Sequence, residues 1–304
     1  MKQRLVLLGG SGFIGQSLLR FQAKSRAGKK LETVIFDPRP PQFFQPDHFV
    51  QGKIEESEKI KSLLDSGDIV FHLVHTTIPS DATDSAGGEE KENVEPSHNL
   101  IELLKKLPVL GLVYLSSGGT VYGETKNRKP VPETAPVNPR SPYARAKVKI
   151  EKAVQNSGVP YLIIRPGNPF GPFQEILNRH GAVGRIFHAL AKNQPFTIYG
   201  RGETIRDYVY IDDFISAFLL LVNRDHWGQV FNIGAGTGAS LEQVIALCEK
   251  VSGRNLRKKF EPLRKTDLKY NVLDVSKLES LGWSPKFSLE QGLQKTWEYF
   301  LKKK

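Results

Sequence analysis

Strand-like apolar runs recur at 4–8, 33–36, 68–74, 112–116 and 161–165, and helix-like stretches fill most of the gaps between them, notably 57–65, 92–107 and 142–157. That alternation predicts a parallel sheet with helices on both faces, because a parallel connection has to cross back over the sheet before the next strand can start. Ligands of such sheets collect at the carboxyl ends of the strands. Three loops reach those ends: 9–15, 72–79 and 116–123. The polar segment 79–93, with Gly87-Gly88 and several acids, reads as a mobile surface loop rather than a functional element.

After Arg165 the pattern changes. Pro166, Gly167, Pro169, Gly171 and Pro172 crowd into seven positions and mark the exit from the first domain. Beyond them come a helix-like stretch at 182–193, a strand-like 196–199 and an amphipathic helix at 289–301. This part is too short and turn-rich to form a second sheet domain of the same kind. The reading is therefore α/β, with a doubly wound parallel sheet in 1–168 and a smaller α/β lobe in 169–304, some segments of which return to the first domain. No internal repeat is visible.

The first apolar run breaks directly into Gly9-Gly10-Ser11-Gly12-Phe13-Ile14-Gly15 and then into a helical pattern at 16–21. Glycines permit a tight bend and let the backbone approach a pyrophosphate, and the helix N-terminus behind them offers unpaired N–H groups and a positive dipole end. The second run ends in Asp37, 22 positions after Gly15 and where a carboxylate bonds the adenosine ribose hydroxyls of a dinucleotide. A turn former before Pro38 would look similar, but the glycine loop upstream favours the ribose role.

Composition adds mainly exclusions. In 304 residues, 39% hydrophobic and 25% charged, no apolar run approaches the roughly 20 residues of a membrane span, and glycines interrupt the one N-terminal segment that imitates a signal peptide. A cytoplasmic protein without a membrane partner is expected. The single cysteine, Cys248, forbids an internal disulfide and lies in an apolar helical pattern at 241–251, where packing is its default role. A formal charge of +11 invites nucleic acid, yet the basic runs Arg257-Lys258-Lys259 and Lys302-Lys303-Lys304 carry no interleaved aromatics and no helix-turn-helix or zinc pattern accompanies them. No nucleic acid and no metal is expected.

Tyr143 and Lys147 stand four apart and share one helix face. An ammonium beside a phenol favours the phenolate, which predicts a tyrosine pKa drawn down toward neutrality and hence a usable base. The pair follows Ser116-Ser117-Gly118-Gly119-Thr120-Val121-Tyr122-Gly123 by the length of one loop. Glycine turn, Asp37, hydroxyl-bearing loop and Tyr-x-x-x-Lys together form a specific set.

On these residues the chain resembles the extended short-chain dehydrogenase/reductases, and among them the nucleotide-sugar 4-epimerases that act on UDP-glucose and UDP-galactose, over nearly its whole length. The resemblance extends to Asp68-Ile69-Val70-Phe71-His72-Leu73, to Asn93-Val94, to the stretch 165–172, to Tyr199-Gly200-Arg201-Gly202 and to Arg206-Asp207-Tyr208. It also takes in Phe231-Asn232-Ile233-Gly234, Arg264 with Asp267, and Leu281-Gly282-Trp283. It implies a Rossmann fold, bound NAD, a UDP-sugar substrate and a homodimer formed through the helices near 93–107 and 142–157.

It also implies roles. Gly9, Gly12, Phe13, Ile14 and Gly15 would carry the pyrophosphate, and Asp37 and Arg39 would face the adenosine ribose, Asp37 favouring NAD over NADP. Leu73, Asn93, Ser116, Tyr143 and Lys147 would complete the cofactor site. Tyr143 would be the base, held by Lys147, with Thr120 or Ser117 supplying the hydroxyl that Gly118 lacks, Thr120 being preferred. Asn168, Tyr199, Arg206, Arg264 and Asp267 would hold the nucleotide sugar, and Asn271, four after Asp267, would border the sugar and admit a 2-N-acetyl group.

Three departures stand out. Besides Gly118, Lys53 stands where an aspartate often reads the adenine, and His75-Thr76-Thr77 replaces small residues beside the cofactor, His75 being read as a packed group. Dehydratases of this kind carry an Asp-Glu pair beside the catalytic threonine, and 118–120 holds no carboxylate. The reaction implied is 4-epimerisation of a UDP-hexose through a 4-keto sugar, with a net NAD(P)-dependent oxidoreductase or dehydratase, or a non-enzymatic dinucleotide-binding protein, as alternatives.

Overall fold

The computed structural model describes residues 3–24, 31–77, 86–125, 128–174, 181–223, 226–263 and 268–302. The chain divides into two compact units that interleave along the sequence: Met1–Ser117, Pro139–Arg165 and Leu221–Phe231 make the first, Gly118–Asn138, Pro166–Leu220 and Asn232–Lys304 the second.

The first unit is built on strands β1 (Arg4–Leu8), β2 (Glu32–Asp37), β3 (His48–Gln51), β4 (Ile69–His72), β5 (Gly111–Leu115) and β6 (Tyr161–Pro166), joined later by β10 (Gln229–Ile233). They lie in the order β10-β6-β5-β4-β1-β2-β3. β1 pairs in parallel with both β2 and β4, Val6 facing Val34 on one side and Val70 on the other, so the winding reverses at β1. Leu5 to Leu8 are completely buried, as expected of a strand covered on both faces. The edge strand β3 is half exposed along its length, and its few apolar residues are why no strand is legible there in the sequence.

Helix α1 (Phe13–Lys24) follows β1, α2 (Ser57–Leu63) follows β3, and α6 (Pro142–Gln155) precedes β6. Between β4 and β5 the chain forms α3 (Ala86–Glu89), one π-helical turn Glu90–Val94, and α4 (Glu95–Leu104). This corrects the expectation of a mobile surface loop over 79–93. Residues 78–85 lie outside the described residues, but 86–93 is helical, and Glu89 and Asn93 are buried. Gly87-Gly88 reads as a turn in a sequence, and only burial of the following residues makes helix the better state.

In the second unit, β7 (Asn168–Phe170) and β13 (Tyr270–Asn271) run parallel to β9 (Ile205–Tyr210), and β11 (Gly238–Ser240) runs antiparallel to it. A separate parallel pair joins β8 (Pro195–Tyr199) to β12 (Arg257–Glu261). Helices Leu241–Ser252 and Leu289–Leu301 both start with capping boxes, Ser240 with Gln243 and Ser288 with Gln291. Cys248 is buried in the first of them, where burial pushes its thiol pKa up, the packing role expected of it.

Asp207 organises this unit's loops. It is fully buried, and its carboxylate accepts from the backbone N–H of Ala235 at 2.6 Å, Gly236 at 3.2 Å and Leu273 at 3.3 Å. Burial raises its pKa to about 6 against the opposing pull of those three donors.

Candidate active site

The turn after β1 has the geometry its glycines predict. Gly9 sits at φ +82°, a backbone conformation that side chains disfavour, and its N–H donates to the Phe36 carbonyl at 2.9 Å. A Cβ on Gly15 would run into the Gly10 carbonyl. Phe13 is buried and Ile14 half-buried at the start of α1, so the helix N-terminus is fixed beneath the turn. On the other side of β1, the Leu73 N–H donates to the Leu8 carbonyl at 2.9 Å.

Asp37 ends β2 directly beside this turn. One carboxylate oxygen accepts from the Ser11 N–H at 3.1 Å and the other from the Arg39 N–H at 3.0 Å, with the residue only 4% exposed. Arg39 itself is exposed. Lys53 is exposed too, and its N–H donates to Glu56 at 2.8 Å.

Helix α6 begins with Pro142 at its first turn and Ser141 as N-cap, the Ser141 hydroxyl accepting from the Ala144 N–H at 3.1 Å. This start places Tyr143 in the first turn and Lys147 one turn on. The Lys147 ammonium is buried, donates to the Leu115 carbonyl at 2.8 Å, and lies 5.8 Å from the centre of the Tyr143 ring and 5.1 Å from that of Tyr114. A hydrogen bond joins Ser117 to the Tyr143 phenol. Of the two hydroxyls named from sequence, Ser117 therefore meets the tyrosine within the first unit. Thr120 stands in the short helix α5 (Gly118–Val121) of the second.

The direction of the tyrosine shift overturns the sequence expectation. Burial pushes the Tyr143 phenol up to about 12, opposed by the Ser117 hydrogen bond, and pushes Lys147 down to about 7, opposed by the Glu151 and Glu89 carboxylates. Spacing shows that the two groups share a face, but desolvation of both outweighs their mutual effect.

Glu151 is itself committed to a buried ion pair. Arg165 reaches it with Nε at 3.0 Å and a terminal nitrogen at 2.6 Å. Around β4, His72 Nε2 lies 2.9 Å from the Ser97 hydroxyl, which donates to the Asn93 carbonyl at 2.6 Å. Asn93, expected at the cofactor, accepts from the Thr76 N–H at 2.9 Å and donates to Glu89 at 3.0 Å. The hydroxyl of Ser116 is buried with no hydrogen-bond partner.

The second unit holds the residues expected at the nucleotide sugar. Asn168 donates to the Asp207 carbonyl at 3.1 Å, Arg206 on β9 donates to the Ile205 carbonyl at 2.9 Å, and Tyr199 ends β8 half-buried. Asn271 is buried and donates to the Gly118 carbonyl at 3.1 Å, while its own side-chain oxygen has no partner. Arg264 and Asp267 lie outside the described residues. Glu124 was not singled out from sequence. It accepts from the N–H groups of Lys269 at 2.9 Å and Tyr270 at 3.2 Å, and an isolated acid in a loop gives no signal of such a contact.

The NAD dependent epimerase/dehydratase family matches residues 5–234 of this chain. The chain belongs to that family. It is 30% identical to the UDP-glucose 4-epimerase of Mycolicibacterium smegmatis over 99% of both chains. It is also similar to the UDP-glucose 4-epimerase of Thermotoga maritima solved with UDP-glucose, at 30% identity, TM-score 0.87 and 99% coverage of each chain. The Thermus thermophilus UDP-glucose 4-epimerase solved with NAD matches at 25% identity and TM-score 0.87, over 98% of this chain and 99% of that one.

The cofactor of this family member is NAD, and the residues fit it. Gly9, Gly10 and Gly12 keep the turn ahead of the α1 N-terminus nearly free of side chains, Gly15 lets that helix close against it, Asp37 presents a buried carboxylate beside it, and the partnerless Ser116 hydroxyl lies in the loop after β5. Among the described residues no helix is long and apolar enough to cross a membrane.

Proposed function

We propose that the protein interconverts the C4 epimers of a UDP-hexose, UDP-glucose and UDP-galactose or their N-acetyl forms, by oxidation and re-reduction at C4. The observation that carries this reading is the Ser117–Tyr143–Lys147 group: a phenol with a hydroxyl hydrogen-bonded to it and a buried ammonium on the next helical turn. Similarity to UDP-glucose 4-epimerases over the full chain length supports the substrate class.

Each group has one task. Tyr143 takes the proton from O4 and later returns it. Ser117 donates to the phenolate oxygen, which is the effect that opposes the burial of Tyr143. Lys147, fixed by the Leu115 carbonyl, sets positive charge toward the phenolate in its protonated form. When bound, NAD would supply the hydride acceptor for C4 and the donor for its return. Gly9, Gly12, Gly15, Asp37 and Ser116 would hold it. The 4-keto sugar turns over between the two transfers, so no cofactor is consumed.

Loss of water from the sugar needs an acid beside the leaving hydroxyl, and the loop 116–123 has no carboxylate. This favours epimerisation over dehydration. Asn168, Tyr199, Arg206, Arg264 and Asp267 are proposed to hold the nucleotide, the arginines suiting the diphosphate through their planar, permanently charged forks. The working form is proposed to be a homodimer, which light scattering at micromolar concentration checks. Incubation with a panel of UDP-hexoses, followed by product separation and absorbance of the reduced cofactor, tests the function. Interconverted epimers without net cofactor reduction are expected, and stoichiometric reduction would instead mark an oxidoreductase.

A further inference from the structure

Two polar residues beside Tyr143 have no part in the reaction just described. The His75 ring meets the Tyr143 ring edge-on, with centroids 4.7 Å apart and planes at 83°. Its Nε2 lies 3.5 Å from the Glu89 carboxylate, and the two side chains are only 9% and 11% exposed. The other ring nitrogen, Nδ1, is buried without a hydrogen-bond partner.

Glu89 is not a stray buried acid. Its carboxylate accepts from the Thr77 hydroxyl and from the Asn93 amide at 3.0 Å. The π-helical turn Glu90–Val94 begins directly after it. Such turns are rare and concentrate at functional sites, because the extra residue re-aims the side chains around it. Here Glu89, directly before that turn, and Asn93, inside it, bond to each other and reach the loop after β4 through Thr77 and Thr76.

We propose that Glu89 and His75 are a positioning pair for Tyr143: the carboxylate fixes the imidazole and the imidazole fixes the phenol ring. From that position the charge of Glu89 acts against the phenolate. The inference rests on Tyr143 being the base. The chain's other groups that face this centre within the first unit are Ser117 after β5, Lys147 on α6, Tyr114 on β5 and, through Lys147, His72 on β4 and Glu151 on α6. Ser117 favours the phenolate, whereas Glu89 disfavours it. Burial and Lys147 hold His75 down to about 4, so near neutral pH it is an uncharged ring beside a charged carboxylate. It shapes the site without supplying a proton.

The test uses NAD-saturated protein. Ultraviolet difference titration against Tyr143→Phe isolates the ionisation of this one phenol among the nine tyrosines. Glu89→Gln keeps the shape and removes the charge, and it should lower the pH of that ionisation by about one unit, the order expected for removing one charge in protein surroundings. His75→Ala should lower kcat about tenfold with KM nearly unchanged, and His75→Phe, which restores a ring, should recover most of it. NAD titration shows that each variant is folded. An unshifted phenol in Glu89→Gln overturns the proposal, as does wild-type kcat in His75→Ala or no recovery in His75→Phe. Full activity in Tyr143→Phe would instead remove the base assignment, a different failure.

Discussion

The buried Lys147 ammonium lies 5.8 Å from the centre of the half-buried Tyr143 ring and donates to the Leu115 carbonyl at 2.8 Å. Burial holds its pKa near 7, against 10.5 for a free lysine, so between those values the unfolded chain binds a proton that the folded one does not. Stability of the cofactor-free protein therefore rises with pH across that window and carries the full penalty of the buried charge below it. Lys147→Met should abolish this rise and be the more stable protein at about pH 7, while losing activity. Urea unfolding of both proteins at about pH 7 and about pH 9 checks it, and equal pH slopes would refute it.

Arg165 and Glu151 make the second prediction. Both ends of this pair are at most 6% exposed, and two hydrogen bonds join them. Glu151→Gln leaves the guanidinium buried without its counter-charge and should cost about 3–5 kcal/mol in denaturant unfolding. It should also push the Lys147 pKa lower, since Glu151 is the largest influence holding it up. A loss under about 1 kcal/mol would mean that solvent reaches the pair.

Asp37 binds the glycine turn through the Ser11 N–H and is proposed to face the adenosine ribose of the cofactor. Its charge repels a 2′-phosphate, so NAD should bind more tightly than NADP and Asp37→Ala should narrow the difference. Titration of both dinucleotides decides this. Tighter binding of NADP by the unaltered protein would transfer control of the pocket to Arg39.

Much of the fold was legible because parallel strands buried on two faces leave continuous apolar runs, and β1, β2, β4, β5 and β6 all stand where those runs are. The half-exposed His48–Gln51 leaves no such run. The glycine turn, Asp37, Tyr143 and Lys147 were legible because each is a residue type needed at a fixed spacing. Three things were hidden: the helix after Ala86, the buried position of Glu89, and the upward shift of Tyr143. All three depend on what packs around a residue, which spacing does not encode. His75 alone left a trace, as a histidine where a small residue was expected.

Asn271 gives a prediction about the sugar. Its amide nitrogen is committed to the Gly118 carbonyl, and its side-chain oxygen remains an open acceptor in a buried position. An acetamide N–H is a fitting donor to such an oxygen. UDP-N-acetylhexosamines should be turned over alongside UDP-hexoses. Asn271→Leu should lower kcat/KM for the acetylated substrate more than for the plain one, since loss of the Gly118 contact affects both alike. No turnover of the acetylated substrate, or an unchanged ratio, would remove Asn271 from sugar selection.

The base itself is tested most directly by Tyr143→Phe, assayed for interconversion of UDP-glucose and UDP-galactose alongside NAD binding. The account predicts retained NAD affinity and turnover lower by about two to four orders of magnitude, the span associated with loss of a general acid–base group. Near wild-type interconversion by the phenylalanine protein would contradict it.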